Sequence, residues 1–386
     1  MHRRQFLKLG SHAGGALLVA PFVNRNRYRL FADSQVQYSN RAIELVGRST
    51  VIDMLGLLKG AAPPWLRNPD TFTASEWQRL RESGISIFHP AVGFGGNASG
   101  AFDFRLRGYA LWNGFVANHD QWLMRVDSPD DLQRVKGSGK VGVLLGSQDA
   151  THFRSPADVD FFYSLGERVS GLTYNTRNVI GNGAFERRDE GISDFGVAII
   201  ERMNALGMAL DVSHCGDRTT LDAFDLSKRP VLITHANCRT LVPGHPRCKT
   251  DEAIRRMGVK GGVMGITHMR NFTTNDEPTT IEHVLDHFDH VRTLIGPEHL
   301  GVGSDMDLDG EDRLPPDERK REEAARAKRD PRYRFRDRMN IDGLDHPRRM
   351  FDVTEGLLRR KYTDQEIEGI LGGNFSRVLG QIWEAN

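Results

Sequence analysis

Cysteine is scarce and neither charge sign dominates, and each shortage excludes something. Three cysteines, Cys215, Cys238 and Cys248, occur in 386 residues. They cannot all pair with one another and match no C-x-x-C knuckle, so they read as free thiols rather than a disulfide framework or a cysteine metal site. Basic and acidic side chains, 52 against 51, cancel to a formal charge of +1. That balance speaks against nucleic acid or an anionic membrane surface as the main partner. No G-x-G-x-x-G turn follows the first expected strand, which removes the main support for a doubly wound dinucleotide-binding sheet. Internal repeats and low-complexity tracts are absent as well. What the chain does have is core material, with 39% hydrophobic residues, enough for one large barrel with insertions or two ordinary domains.

The N-terminus carries a twin-arginine motif, Arg3-Arg4-Gln5-Phe6-Leu7-Lys8, followed by a modest apolar stretch over 13–23. That stretch is too short and glycine-rich to span a bilayer comfortably. Residues 1–35 are therefore read as an export leader, and 36–386 as a single folded domain. The leader is either cleaved, with Leu18-Val19-Ala20 as the candidate site, or kept as an anchor. Either outcome places the protein in the periplasm or on a membrane. The twin-arginine route carries proteins already folded around a cofactor, which suits a metal enzyme.

Eight short apolar, β-branched runs alternate with amphipathic stretches, at 50–53, 85–89, 141–145, 170–174, 208–212, 231–234, 262–266 and 300–303. Ser128-Pro129-Asp130-Asp131 and Ser155-Pro156-Ala157-Asp158 each supply an N-cap serine, proline at the first helical position and an early acidic residue. Such alternation over this length predicts a TIM-like (β/α)₈ barrel. Residues 311–341 are dense in both charge signs and are expected to be a solvated insertion or a flap over the barrel mouth. The tail, with Leu357, Leu358, Ile367, Ile370 and Leu371 at helical spacing, is expected to pack as C-terminal helices against the barrel wall.

Catalytic groups of a barrel come from the C-terminal ends of its strands. Here those ends carry Asp53, His89, Gln148, Tyr174, His214, His235, His268 and Asp305. One such residue could be a helix cap or a rim histidine; the set reads as a single convergent site. Asp211-Val212-Ser213-His214 and Val231-Leu232-Ile233-Thr234-His235 end consecutive strands in imidazoles, and Gly303-Ser304-Asp305 adds a carboxylate. Two histidines, a carboxylate and an open position suit zinc, with neutral imidazole nitrogen bound at about 2.0–2.1 Å. His89, His152 and His268 are further groups without an assigned role.

From about residue 50 to residue 383 the chain resembles the renal (membrane) dipeptidases, metallopeptidase family M19. The resemblance rests on Ile192-Ser193-Asp194-Phe195-Gly196, on Met203-Asn204 and Gly207-Met208, on His214 and His235, and on His245-Pro246-Arg247. Gly303-Ser304-Asp305-Met306-Asp307, Leu357-Leu358-Arg359-Arg360 and Gly373-Asn374-Phe375-Ser376-Arg377-Val378 extend it. It implies dipeptide hydrolysis on a TIM-like barrel at a two-zinc centre. It also implies that Arg247 grips a substrate carboxylate, since a guanidinium fork can bond both oxygens.

Departures from the family pattern reduce that centre. An H-x-D ligand pair usually follows the first strand, but here the segment reads Asp53-Met54-Leu55-Gly56-Leu57. The bridging glutamate aligns with Gln148, and a substrate-binding histidine with Tyr174. One zinc ion is therefore expected, held by His214, His235 and Asp305, with Gln148 as a neutral donor and Asp53 or Asp149 as replacement carboxylates. Catalysis would fall to Asp305 with Gln148 and Tyr174, and substrate binding to Arg247 and Tyr174. The expected substrate is a small peptide or amino acid derivative, and a second copy of the chain is the protein partner this reading allows. Two other readings stay open: hydrolysis of a different amide or lactone, and a catalytically silent barrel that binds peptides.

Overall fold

Strands buried on both faces and helices with one apolar stripe alternate along the chain, and the strands curl into a closed ring. The structure, a computed structural model, describes residues 27–29, 36–57, 68–93, 100–310 and 338–384, with single positions at 317, 320 and 324. The expected leader lies outside the described residues apart from Arg27–Arg29, a strand antiparallel to Gln37–Ser39. Most of the 311–341 insertion lies outside them too.

The eight barrel strands are β1 (Ile52–Asp53), β2 (Ile87–Phe88), β3 (Val141–Val143), β4 (Val169–Gly171), β5 (Ala209–Asp211), β6 (Val231–Ala236), β7 (Met264–Ile266) and β8 (Leu300–Val302). They pair in parallel in the order β3-β2-β1-β8-β7-β6-β5-β4. Gly146–Ser147 continues the β3 run and closes the ring, pairing with Val169 and Ser170 of β4 while Gly146 bridges to Ala91 beyond β2. Every residue of β6 is buried, as expected for a parallel strand packed on both faces. Each ladder is shorter than the apolar run that predicted it, except β6, because the run continues into the buried exit where side chains face the mouth. Further short strands were not expected: Leu123–Arg125 lies parallel to β3, and Gly56–Leu57 pairs with Met306–Asp307.

Helices cover the outside. Ile281–Ile295 shows why they form: Val284, Leu285, His287, Phe288 and Val291 fall on one buried face. At its start the Thr280 amide donates to His283 Nδ1 at 3.1 Å, a reciprocal cap. Both proline-marked helices are present. Asp131 N–H donates to the Ser128 hydroxyl, whereas Ser155 makes no such bond and Asp158 instead accepts from the Arg154 amide at 2.8 Å.

The tail is helical but broken, as Arg349–Arg359, Asp364–Glu368, a π-turn over Gly369–Gly373, and Asn374–Trp383. Its last helix does more than lie on the wall. Phe375, Val378, Leu379 and Ile382 share one cluster with the inward side chains Ile52, Ile87, Val169, Ala209 and Leu232. This helix plugs the end of the barrel where the strands begin, so chemistry is confined to the other mouth. No helix among the described residues is long and apolar enough to cross a membrane.

Candidate metal centre at the barrel mouth

His214 follows β5 and His235 lies near the end of β6, its hydrogen-bonded neighbour, and the sheet brings their rings together. The two Nε2 atoms stand 3.0 Å apart, and Gln148 Oε1 lies 2.8 Å from His214 Nε2. All three residues are buried. Tyr174, half-buried after β4, stacks on the His214 ring with centroids 4.2 Å apart.

The outer nitrogens decide where the imidazole protons sit. His214 Nδ1 donates to Asn175 Oδ1 at 2.8 Å, which leaves a lone pair on Nε2. His235 Nδ1 lies 2.7 Å from Thr234 Oγ1. Burial first, then the Arg247 guanidinium, pushes both imidazoles well below the ordinary histidine pKa, with Lys249 and neighbouring histidines adding to the effect. Both rings are therefore neutral at physiological pH. His214 Nε2, His235 Nε2 and Gln148 Oε1 point at one another, a donor set suited to a cation when His235 carries its proton on Nδ1. The 3.0 Å separation is shorter than twice the Zn–N bond of about 2.0–2.1 Å, so both lone pairs can reach one ion.

A carboxylate is not part of this set. Among the described residues no three His, Cys, Asp or Glu side chains form a group able to hold an ion. The expected joining of Asp305 to the two histidines is not seen. Asp305 is half-buried at φ 56°, its amide donates to Leu55 O at 2.8 Å, and its charge acts on Arg247. The positive φ, rare outside glycine, turns the chain sharply away from the strand direction.

The two replacement carboxylates are engaged elsewhere. Asp53 accepts from the Ser304 amide at 2.8 Å and hydroxyl at 2.6 Å, with Arg349 Nη2 3.8 Å away. Burial raises the Asp53 pKa despite these partners. Asp149 forms a fully buried ion pair with Arg105 at 2.7 Å. Burial alone would raise its pKa, but Arg105 and the bonds from Thr151 outweigh that and hold it low. Leu55 is wholly buried and apolar.

Arg247 also departs from expectation. It is buried, and its terminal nitrogens donate to the carbonyls of Ser213 and, at 2.9 Å, His235. The guanidinium thus clamps the two backbone segments that carry the histidines. His89 is buried with Nδ1 donating to Leu144 O at 3.0 Å. His152 pairs with Glu167 at 3.0 Å, away from the mouth. Neither ring nitrogen of buried His268 meets a hydrogen-bond partner among the described residues. Sequence reasoning missed Asn175, Ser213 and Thr234; their hydroxyl and amide side chains beside strand-exit histidines were the available signal. Nearby, Phe185, Glu186, Pro243, His245, Pro246 and Asn275 line an open cavity of about 520 Å³.

Comparison with known proteins agrees with this architecture. The family described as membrane dipeptidase (peptidase family M19) matches residues 59–319. Dipeptidase tcpJ of Claviceps purpurea is 29% identical over 257 residues, covering 66% of this chain and 54% of its own. Dipeptidase 3 of Rattus norvegicus is 28% identical over 67% of this chain and 48% of its own. The chain thus spans about half the length of the curated relatives it matches. Among solved structures, an amidohydrolase from Pseudomonas aeruginosa superposes with a TM-score of 0.76 at 27% identity, covering 89% of this chain and 99% of that one.

Proposed function

The chain belongs to the membrane dipeptidase family, peptidase family M19, and on that premise we propose that it hydrolyses short peptides with the help of one zinc ion. The observation that carries this reading is the convergence of His214 Nε2, His235 Nε2 and Gln148 Oε1. A bound ion there would supply Lewis acidity at neutral pH. Family sites use more carboxylates, but Asp53 and Asp149 are neutralised by Arg349 and Arg105, which favours a single ion. Tyr174, stacked on His214, would orient the scissile group. Asp305, at the β8 exit within the field of Arg247, would accept the proton lost by the attacking water. The cavity beside Phe185 and Pro246 would receive a substrate side chain.

Metal analysis of protein purified without chelator should give about one ion per chain, and His214→Ala or His235→Ala should remove it. Two tightly held ions, or full metal in either variant, would overturn the assignment. Asp305→Asn should abolish turnover while the ion stays.

A second reading rests on Arg247. Its terminal nitrogens already bond two carbonyls, which favours a substrate with no free carboxylate, such as another amide or ester. Free dipeptides compared with their C-terminal amides separate the two. Cleavage of free dipeptides alone supports the dipeptidase reading, and equal rates support the other. Binding without turnover of either would mark a silent barrel.

Export by the twin-arginine route to the periplasm, with or without membrane anchoring, is proposed from Arg3-Arg4. Lysine at both positions should hold the protein in the cytoplasm; undiminished export would refute this.

A further inference from the structure

The cavity of about 520 Å³ beside the metal centre has Phe185 and Glu186 on one wall and Pro243, His245 and Pro246 on the other. The backbone ties both walls to the two histidines. On one side the Ala184 amide donates to His214 O at 2.7 Å and the Phe185 amide to Asn175 O at 2.9 Å. On the other, Arg247, next to Pro246, donates to the carbonyls of Ser213 and His235. The His245 ring meets Phe185 and Phe272 edge to face, with centroids 6.4 and 5.1 Å away. With the two prolines this makes a surface suited to an aromatic body. Two polar groups interrupt it. The Arg247 amide donates to His245 Nδ1 at 3.3 Å, and an amide N–H only donates, so the neutral ring carries its proton on Nε2. Burial first, then Arg247 and Arg239, lowers the His245 pKa to about 4, which makes the ring an uncharged donor at neutral pH. Glu186 Oε1 accepts from the Arg177 amide at 2.7 Å, leaving Oε2 to accept from another group.

We propose that this cavity selects peptides carrying a tyrosine side chain, with Phe185 against the ring, His245 Nε2–H donating to the phenol oxygen and Glu186 accepting the phenol proton. The selection rests on the reading of the mouth as a peptide site. A phenol accepts and donates at one oxygen on the end of an aromatic body, so it answers both polar groups and the apolar wall together. Phenylalanine fills the apolar part but covers the His245 donor and the Glu186 acceptor without partnering either, which costs affinity. Lysine satisfies Glu186 but sets its own N–H groups against the His245 N–H, since an ammonium has no acceptor. An acidic side chain gains no charge from the neutral imidazole and is repelled by Glu186. His245 is thus a specificity-determining residue, in contact with the substrate side chain and not with the scissile bond.

Binding is measured first on the full chain without metal, where no turnover intervenes, by calorimetry with N-acetyl-tyrosinamide and N-acetyl-phenylalaninamide. The tyrosine probe should bind about tenfold more tightly, the usual worth of one or two hydrogen bonds. His245→Phe should erase that preference by weakening the tyrosine probe alone. His245→Gln, which keeps an amide N–H near the Nε2 position, should retain it. Equal binding of the two probes by the wild type, binding of neither, or a preference that survives His245→Phe would overturn the proposal. The first two outcomes need no variant, so a misfolded His245→Phe leaves the test intact. Zinc-loaded protein is then given Ala-Tyr, Tyr-Ala, Ala-Phe and Phe-Ala. A higher kcat/KM for the tyrosine member of either pair, residing in KM, supports the pocket and hydrolysis together. Cleavage with no tyrosine preference in either pair keeps the hydrolase reading and removes the pocket. No cleavage of any peptide, with the tyrosine probe still preferred, removes the hydrolase reading and leaves the pocket standing.

Discussion

Arg105 reaches from its helix to the buried carboxylate of Asp149, one residue past Gln148. Neither side chain has appreciable contact with water, so removing one partner strands the other charge. Arg105→Met should cost about 3–5 kcal/mol in urea unfolding, and adding Asp149→Asn should recover much of it. An Arg105→Met loss under about 1 kcal/mol would show that the pair carries little. The pair is also pH-sensitive in a definite direction. Asp149 is held below the ordinary aspartate pKa, so its contribution is complete above that value and is lost as pH falls through the lower, folded one. None of this was readable in Gly146-Ser147-Gln148-Asp149, where Asp149 looked like a spare ligand. The guanidinium that engages it comes from another helix, and pairing across the fold leaves no local pattern. His214 and His235 were legible because each directly ends an apolar run, and neighbouring runs in a barrel become neighbouring strands. The place of Asp305 was not, because its positive φ and the bond from its amide to Leu55 O redirect a side chain that strand alternation would aim at the histidines.

Strand exits lie close together only where side chains are missing. A Cβ on Gly303 of the β8 exit would stand 1.9 Å from Thr234 O and 3.0 Å from His235 Cβ. The contact on the first of these is backbone, which cannot swing away. Gly303→Ala should therefore displace the Thr234–His235 peptide, lowering both stability and zinc affinity. Losses of about 1–3 kcal/mol are usual for overpacking of this kind; unchanged unfolding and unchanged zinc binding would mean that β8 moves aside. The plugging helix makes a matching case at the other end, since a Cβ on Gly301 would lie 2.2 Å from the Phe375 ring. Helical periodicity in the tail was visible in the sequence, but its role as a plug was not. An apolar stripe says that a face is buried and does not say against what. The eight strands were readable for the converse reason: a parallel barrel buries both strand faces, and continuous apolar runs of that length have few other homes.

At the scale of the whole molecule, several histidines far apart in the sequence, among them His268 and His287, are buried in the neutral form, and this sets how the metal-free protein should respond to acid. His287 accepts from the Cys238 amide through Nδ1 at 3.1 Å and meets Thr273 O through Nε2 at 2.8 Å. Protonation would fill the lone pair that the Cys238 amide needs. Burial lowers its pKa from 6.5 to about 4, while burial with Arg349 nearby lowers His268 to about 3. Below pH 6.5 the unfolded chain takes up protons at both positions and the folded chain does not, so stability falls as pH falls. Each such group costs about 1.4 kcal/mol per pH unit, until the folded pKa is reached. Two units of acidification would thus remove roughly 5 kcal/mol, comparable with the whole stability of many domains. In chelator, the urea midpoint should begin to drop near pH 6.5, and His268→Leu should make the decline shallower. Zinc should oppose it, because an ion bound to the folded form at 100 times its Kd adds about 2.7 kcal/mol. That protection should itself fade with acid, because protons compete with the ion for the imidazole lone pairs of its ligands. A midpoint flat between pH 6.5 and 4.5 without metal would show that these histidines take up protons in the folded state, which their packing does not permit.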